Sequence, residues 1–556
     1  MRRKRWFIRS DKVPKRENLL DFLLEIRGIE DKEAFLDPQL SYIYSFYKLK
    51  GVKEAVERLK RAIDKKEKVG LYIDYDVDGI TGGAILYRNL KKLGVDVEVK
   101  IPNRLSEGYG VQISGLKELR EKGVSLVITV DSGIRSFEAA EWAFKNNLDL
   151  IITDHHFPSK DLPKALAIIN PHLDYPFRFL SGVGVVFKFL LALYEKMGQD
   201  PKELIWDLDL VVLGTVADIV PLISENRVLS YLGMKVLEKS KKMGIKVLKK
   251  ISGREENLRT WDILFVLAPR LNAAGRLQDA SLSFNLLVTK KTEEALKLAK
   301  MLEKMNSLRM EEQERILAGA LSTIEKEDKG KNFFITIKGK DFHPGVIGIV
   351  ASKIAEKYYR PSIVFTEQGD ILRGSARSIN KNIDLMEIFD KLDDLILEYG
   401  GHSCAAGIKI LKKDYEVFEE KINLLASINF KEEDFEPEVT IDCKFPIEEW
   451  DSFLYSEVIE KMEPFGEGNP KPVFLDENLT CVGDIKLRKN EHLDFYVIKK
   501  GRFFRAFVPE RFDLYDKIVS GKTKISAVYS PEIDYYSKRK DLSFKILDLE
   551  IINEKF

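Results

Sequence analysis

Three carboxylates alternate in Asp74-Tyr75-Asp76-Val77-Asp78-Gly79. They lie between an apolar run, Val69-Gly70-Leu71-Tyr72-Ile73, and a stretch from Ala84 to Leu90 that reads as a helix. In an extended backbone, residues two apart project to the same side. Three like charges on one side repel, and the arrangement needs a cation or donors to compensate it. Asp131 and the triplet Asp154-His155-His156 each follow a further apolar run. Asp218 interrupts an apolar helical pattern over 208–223, where a lone charge is costly unless it is paired or bound to metal. Together Asp76, Asp78, Asp131, His155 and Asp218 make a ligand set for hard divalent cations. Carboxylates suit magnesium, and the imidazole shifts the preference toward manganese. So many ligands exceed the needs of one ion with open positions, whereas two ions about 4 Å apart, sharing a carboxylate, use them all. Such a pair activates a water and stabilises the attacking and leaving oxygens of a phosphoester. His156, beside His155, is placed to donate to a phosphoryl oxygen.

These residues need elements to hold them. From about 50 to 170 the pattern repeats as strand then helix, with strands expected over 69–74, 95–101, 126–131, 150–154 and 165–170 and helices over 114–122 and 136–146. That alternation implies a parallel sheet covered on both faces. Such sheets bind ligands beyond the carboxyl ends of their strands. Asp76/Asp78, Asn103/Arg104, Asp131/Ser132 and Asp154/His155/His156 all fall at those ends. Residues 184–250 read as helical. A long amphipathic pattern over 291–328, with Leu296, Ala299, Leu302, Met305, Leu308 and Ile316 near one face, reads as a helix bridging two domains.

A second α/β domain is expected over about 331–412. It carries His343 in a Pro-Gly turn, Gly374-Ser375-Ala376-Arg377, and Gly400-Gly401-His402. Gly345, Gly348, Gly374, Gly400 and Gly401 let backbone N–H groups approach an anion. Arg104, Arg276 and Arg377 sit in contexts suited to clasping phosphate. An acidic linker over about 428–438 precedes short strands in which Tyr and Phe interleave with Lys and Arg, as over 502–507 and 535–539. That pattern reads as a small β-barrel. The expected domains are thus an N-terminal segment at 1–50, a parallel-sheet domain at 51–285, a connecting helix at 286–330, a smaller α/β domain at 331–427 and a barrel at 438–556. Residues 1–50 carry helical pattern and polar breaks. The first sixteen hold eight Lys or Arg against one Asp and read as a solvated tail. His172 and His492 read as structural or surface residues.

The bulk numbers bound the class. At 556 residues the chain is long enough for three or four domains. The net charge of +1 leaves a nucleic-acid partner open, because local clustering decides that. No run of about 18 apolar residues exists, so a membrane span is not expected. The basic N-terminus lacks the apolar core of a signal peptide. Cys404, Cys443 and Cys481 are too few and too scattered for a disulfide framework, and a reducing cytoplasm is the expected location.

In order, DYDVDG at 74–79, NRLSEGYG at 103–110, VDSG at 130–133, DHH at 154–156 and GTVADIVPL at 214–222 resemble the motifs of the DHH phosphoesterases. RLNAAGRL at 270–277, HPGVIGIVASKIA at 343–355, GSARS at 374–378 and GGHSCAAG at 400–407 resemble the stretch with the DHH-associated domain. PFGEGNPKPVF at 464–474 resembles the segment entering the OB-fold of the RecJ family. The resemblance implies a 5′→3′ exonuclease of single-stranded DNA, acting in repair and recombination, that releases 5′-mononucleotides with two Mn2+ or Mg2+ ions. It also implies a helicase and a single-stranded-DNA-binding protein as partners. On the same ground Asp76, Asp131 and Asp218 hold one ion, and Asp78, Asp131, His155 and Asp218 the other. Asp74 supports the ligands and His156 faces the scissile phosphate. Arg104, Arg276, Ser375 and Arg377 grip the strand's phosphates, including the 5′ end, and Tyr109 stacks on a base. His343, Gly401 and His402 complete the substrate-binding set. One departure is Tyr72-Ile73, where many relatives carry His-Gly, so the resemblance implies a missing ligand and a looser first ion. A DHH phosphodiesterase of short RNA or cyclic dinucleotides shares the metal motifs, but the barrel and the chain length argue against it. A catalytically silent DNA-binding scaffold would require lost ligands.

Overall fold

Five parallel strands form the sheet on which the acidic residues sit: Lys68–Ile73, Val97–Lys100, Val124–Val130, Asp149–Thr153 and Ala167–Ile169. A computed structural model describes residues 4–552 of the chain apart from 105, 109, 381, 489–491 and 534–540. The chain packs as two units. The larger comprises Asp31–Arg309 and Met462–Pro470; the smaller comprises Met1–Glu30, Met310–Lys461 and Lys471–Phe556.

In the larger unit Lys68–Ile73 lies between Val97–Lys100 and Val124–Val130, so the strand order reverses beside it. Ligands bind parallel sheets at such a reversal, beyond the carboxyl ends of the strands. Both faces are covered, as buried parallel strands require. Leu71, Ile73 and Ile128 pack in one layer with Ile80, Val183 and Val212 from the helices Val77–Lys92, Gly182–Lys196 and Leu208–Ala217. Tyr72, Val127 and Ile152 pack in the other with Leu116 and Ala140 from Ile113–Glu121 and Phe137–Lys145.

Two helices differ from expectation. The helix expected over 208–223 stops at Ala217, and Ile219 turns out of it at a φ of 59°. The interior acid of that helix is Asp209, which accepts from Lys242 Nζ at 2.8 Å and Ser240 Oγ at 2.6 Å. The long helix runs Thr292–Lys326, roughly 50 Å. Its buried face is Ala295, Ala299, Leu302, Met305, Ile316, Ala320 and Ile324, whereas Leu296 and Leu308 are exposed. Leu296 sits one position, about 100° of rotation, from Ala295, and so faces solvent.

The smaller unit holds a five-stranded mixed sheet in the order Ile396–His402, Ala405–Leu411, Ile371–Arg377, Ser362–Gln368, Ile335–Gly339. Its barrel strands are Phe474–Arg488, His492–Lys499, Arg502–Val508, Lys524–Ile533 and Leu542–Ile552. The first closes back on Lys524–Ile533, and the third runs parallel to the last. That is the OB-fold arrangement, a five-stranded barrel closed by the pairing of its first and fourth strands. The aromatic-basic stretch at 535–539 lies outside the described residues. Among the described residues no helix is long and apolar enough to cross a membrane.

The N-terminus is not a solvated tail. Arg5–Ser10 is a strand, parallel to Glu438–Lys444, which continues the barrel's sheet. Trp6 and Ile8 face Val439, Ile441 and Val528, while Arg5 and Phe7 face out. Arg27 then clamps Asp442 through two bonds of 2.9 and 2.7 Å, both side chains nearly buried. Removing one partner of such a pair strands the other charge. Arg27→Met should therefore destabilise the protein by about 3 kcal/mol, read by urea unfolding; a change below about 0.5 kcal/mol would show the pair to be inert.

Candidate active site

The ladder of the parallel sheet carries on into the acids themselves. Asp74 N–H donates to Val130 O at 3.1 Å, Asp131 N–H to Thr153 O at 2.9 Å, and Asp154 N–H to Ile169 O at 3.1 Å. Each acid is thus fixed in line with its neighbour at the end of its strand. Asp131 holds a left-handed φ of 62°, unfavourable for a residue with a Cβ.

The DYDVDG turn is not extended throughout. Helix Val77–Lys92 starts inside it, so Asp78 reaches the site from the first helical turn rather than alongside Asp74 and Asp76. Asp76 is the N-cap, and its Oδ1 accepts from Asp78 N and Gly79 N at 3.0 and 3.2 Å. The Asp78 carboxylate accepts from Gly182 N at 2.6 Å and Val183 N at 2.9 Å, at the start of helix Gly182–Lys196. This approach demands glycine. A Cβ at Gly182 would stand 2.5 Å from Asp131 Oδ1, and one at Gly214 would stand 2.7 Å from Asp78 Oδ1.

Three overlapping groups of ligand atoms result, each within 4.8 Å: Asp78/His155/Asp218, Asp131/His155/His156 and Asp74/Asp76/Asp131. Asp131 and His155 each belong to two of them. His155 Nε2 lies 3.2 Å from Asp131 Oδ1 and 3.5 Å from Asp218 Oδ2. Yet Asp131 Oδ1, His155 Nε2 and Asp74 Oδ1 are buried with no hydrogen-bond partner among the described residues. Burial, then the charge of Asp76, pushes Asp74 well above the usual carboxylate range. Burial, then Asp78 and Asp76, does the same to Asp131. Asp218 is pushed up to about 7 by burial, against the pull of His155. Orphaned lone pairs on crowded acids, with one imidazole, fit a divalent cation that prefers oxygen and accepts nitrogen.

Beside the cluster a cleft of about 240 Å³ is lined by Asp74, Asp76, His156, Arg104, Asn272 and Arg276, among others. Asp154 shapes the histidines: its Oδ1 accepts from the backbone of His155 and His156 and meets His156 Nδ1 at 2.7 Å. Burial opposes a charge on His156, but the bond to Asp154 outweighs it and raises His156 to about 9. Arg104 lies over the Tyr75 ring, 5.3 Å from its centroid.

Sequence reasoning missed the supports. Asn272 Oδ1 accepts from Val77 N at 3.2 Å, adding a cap to helix Val77–Lys92, and a Cβ at Gly275 would meet Tyr75 O at 2.8 Å. The RLNAAGR helix is therefore laid directly on the DYD turn, a contact no local pattern reveals. The departure noted above falls at Tyr72. It packs with Leu116 and Leu119 in the opposite layer of the sheet, and its hydroxyl accepts from Gln112 N at 3.2 Å. Tyr72 therefore supplies no ligand atom to the cluster.

The remaining predicted residues lie in the smaller unit, except Tyr109, which is outside the described residues. His402, Ala405 and Arg377 are in register across three strands, as are Gly400, Gly407 and Ser375, which puts His402, Arg377 and Ser375 on one face. Arg377 donates to Ser375 Oγ at 3.0 Å, and a Cβ at Gly348 would come within 2.9 Å of both side chains. Gly401 adopts a φ of 149° against Ala405 and Ala406. His343 Nδ1 accepts from Gly345 N at 3.1 Å and shapes the turn into helix Ile347–Tyr358.

The sheet, the crowded acids and the histidine pair define a protein of the DHH class. The model of the DHH family N-terminal domain matches residues 68–215, that of the DHHA1 domain 330–428, and that of the RecJ OB domain 441–548. The single-stranded-DNA-specific exonuclease RecJ of Bacillus subtilis is 36% identical over 545 residues, covering 96% of this chain and 68% of the relative. That of Haemophilus influenzae is 34% identical over 477 residues, covering 82% of each. The crystal structure of RecJ in complex with Mn2+ from Thermus thermophilus superposes with a TM-score of 0.83 at 29% identity, covering all of this chain and 81% of that one. The chain belongs to the RecJ family.

A carboxyl held at about 7 in the native protein and near 3.8 when unfolded keeps its proton longer in the native state. Between those values the native state binds more protons, so its share of stability falls as pH rises. In chelator-treated protein, the Tm of Asp218→Asn should gain on that of wild type as pH rises from 4 to 7, and Mn2+ should erase the difference by stabilising wild type alone. A constant offset across that range would show that burial does not raise the Asp218 carboxyl.

Proposed function

We propose that this chain is a single-stranded-DNA-specific exonuclease that hydrolyses phosphodiester bonds from the 5′ end and releases 5′-mononucleotides, using Mn2+ or Mg2+, in DNA repair and recombination. The observation that carries this is the pair of orphaned buried atoms, Asp131 Oδ1 and His155 Nε2, between two groups of acids in a member of the RecJ family. Asp76, Asp78, Asp131, His155 and Asp218 would hold two ions, with Asp131 and His155 in more than one ligand group and Asp74 alongside Asp76. Bound there, divalent cations neutralise phosphoryl oxygens and acidify a water.

The chain's own residues do the rest. Asp154 fixes the His156 ring through Nδ1, leaving Nε2 to donate to a phosphoryl oxygen, with a proton it retains at neutral pH. Arg104 and Arg276 offset phosphate charge in the same cleft. Ser375 and Arg377, at the start of helix Ile347–Tyr358, suit a terminal 5′-phosphate, with His343, Gly401 and His402 shaping the floor around it. Tyr109 would stack on a base. In OB-folds the second and third strands present the strand-binding face. Here those strands carry exposed Tyr496 and Phe503, with Arg505 opposite Tyr496. Residues 51–285 thus carry the chemistry, 331–427 the end grip and 438–556 the track, joined through the helix of 286–330. The setting is the cytoplasm, where a helicase supplies unwound DNA and a single-stranded-DNA-binding protein keeps it open. A silent scaffold is disfavoured, because the acids and both DHH histidines are present.

An oligonucleotide labelled at either end, single-stranded or duplex, followed with Mn2+, tests polarity, substrate and product together. Mononucleotides should appear first from the 5′ end of the single strand, and Asp131→Ala should abolish them while strand binding persists. Release from 3′ ends, or equal attack on duplex, would refute the reading. Phe503→Ala should weaken strand affinity by about 1–3 kcal/mol without lowering turnover at saturating DNA; unchanged affinity would remove that ring from the track.

A further inference from the structure

The chain over 462–470 packs with the larger unit, although both of its flanks belong to the smaller one. Asn469 is buried, and its Nδ2 donates to the carbonyls of Met462 and Pro464, each at 2.9 Å. Gly466 and Asn469 exchange backbone bonds of 3.0 and 3.2 Å, which close the segment into a tight loop. The larger unit takes up its carbonyls. Leu222 N–H donates to Glu467 O at 2.7 Å, Thr260 Oγ1 to Phe465 O at 2.6 Å, and the Arg227 guanidinium to Met462 O and Glu463 O at 3.2 and 3.0 Å. Gly466 and Gly468 lie flush on Pro221, Leu222 and Ile223; a Cβ at Gly466 would stand 2.7 Å from Leu222 Cδ1.

The surface so covered is the turn that leaves Asp218. Asp218 ends helix Leu208–Ala217, and the next residue, Ile219, takes a left-handed φ of 59°. A β-branched residue adopts that conformation only at a cost. The Ile219 side chain is 57% exposed, so its own packing does not hold it there. Strained backbone persists where its surroundings over-determine it. The 462–470 loop supplies that constraint three residues further on, through the Leu222–Glu467 bond and the glycine contacts.

We infer that the 462–470 loop is a positioning element for Asp218, fixing the turn that aims this carboxylate at the cation site. The inference rests on the reading of Asp218 as a metal ligand. Removing residues 438–556 would therefore take away a brace of the metal site as well as a strand-binding surface.

Mn2+ uptake by the full-length chelator-treated protein, followed by the electron paramagnetic resonance of the free ion, tests it without substrate. Asn469→Ala and the milder Thr260→Val should each raise the Mn2+ needed for half occupancy about tenfold, the scale for loss of a ligand's support. Tyr194→Phe, which removes a buried bond to Asn89 outside this contact, should lower Tm and leave Mn2+ uptake unchanged. Should Asn469→Ala fail to fold, Thr260→Val decides. Wild-type uptake in Thr260→Val, or a weakening no greater than in Tyr194→Phe at equal Tm loss, would overturn the inference. No uptake by the wild type would instead overturn the metal reading beneath it.

Discussion

Asp74, Asp78 and Asp131 are each buried to within a few percent of complete, and backbone geometry leaves them no room to separate. Two hang from adjacent parallel strands, and the third is pinned by the N–H groups of a neighbouring helix. Isolated charges in such a place are costly, and mutual repulsion adds to that cost. The hydrogen bonds to Asp78 offset part of it, but the orphaned oxygens of Asp74 and Asp131 have no such relief among the described residues. Protons take up part of the remainder in the metal-free protein, and a divalent cation would displace them.

Much of the surrounding structure serves that crowding. The strand order reverses between the two strands that carry Asp74 and Asp131, opening a crevice at their ends. Gly182 and Gly214 bring two helices within reach of the acids, and Asn272 caps the helix that begins at the acidic turn. The smaller unit uses a different economy of parts. Its Ser375, Arg377 and His402 share one face of a sheet in register with Gly400 and Gly407.

The sheet and the cluster were legible because parallel strands announce themselves as short apolar runs and because the acids terminate those runs. Asp131, Asp154 and the acidic turn could be placed at strand ends from spacing alone. What escaped depends on partners remote in the chain. The strand Arg5–Ser10 is six residues long and pairs with a strand more than 400 residues away, so its apolar Trp6-Phe7-Ile8, set among eight Lys or Arg, reads locally as part of a tail. The helix start at Val77 redirected Asp78, which period-two reasoning had put beside Asp74. The packing of Tyr72 against Leu116 and Leu119 depends on a helix about forty residues further along the chain, which no local pattern announces. The loop of 462–470 stood out only as a family motif; its role depends on the strained residue it faces.

Burial and mutual repulsion favour the protonated acids, so metal binding should expel protons. Calorimetric titration of Mn2+ into metal-free protein near pH 6.5, repeated in buffers of different ionisation enthalpy, counts them directly. The account predicts that binding releases protons, and fewer of them as pH rises beyond 7. Binding with no proton exchange at any of these pH values would show that the carboxylates were already charged and at ease, and would contradict it.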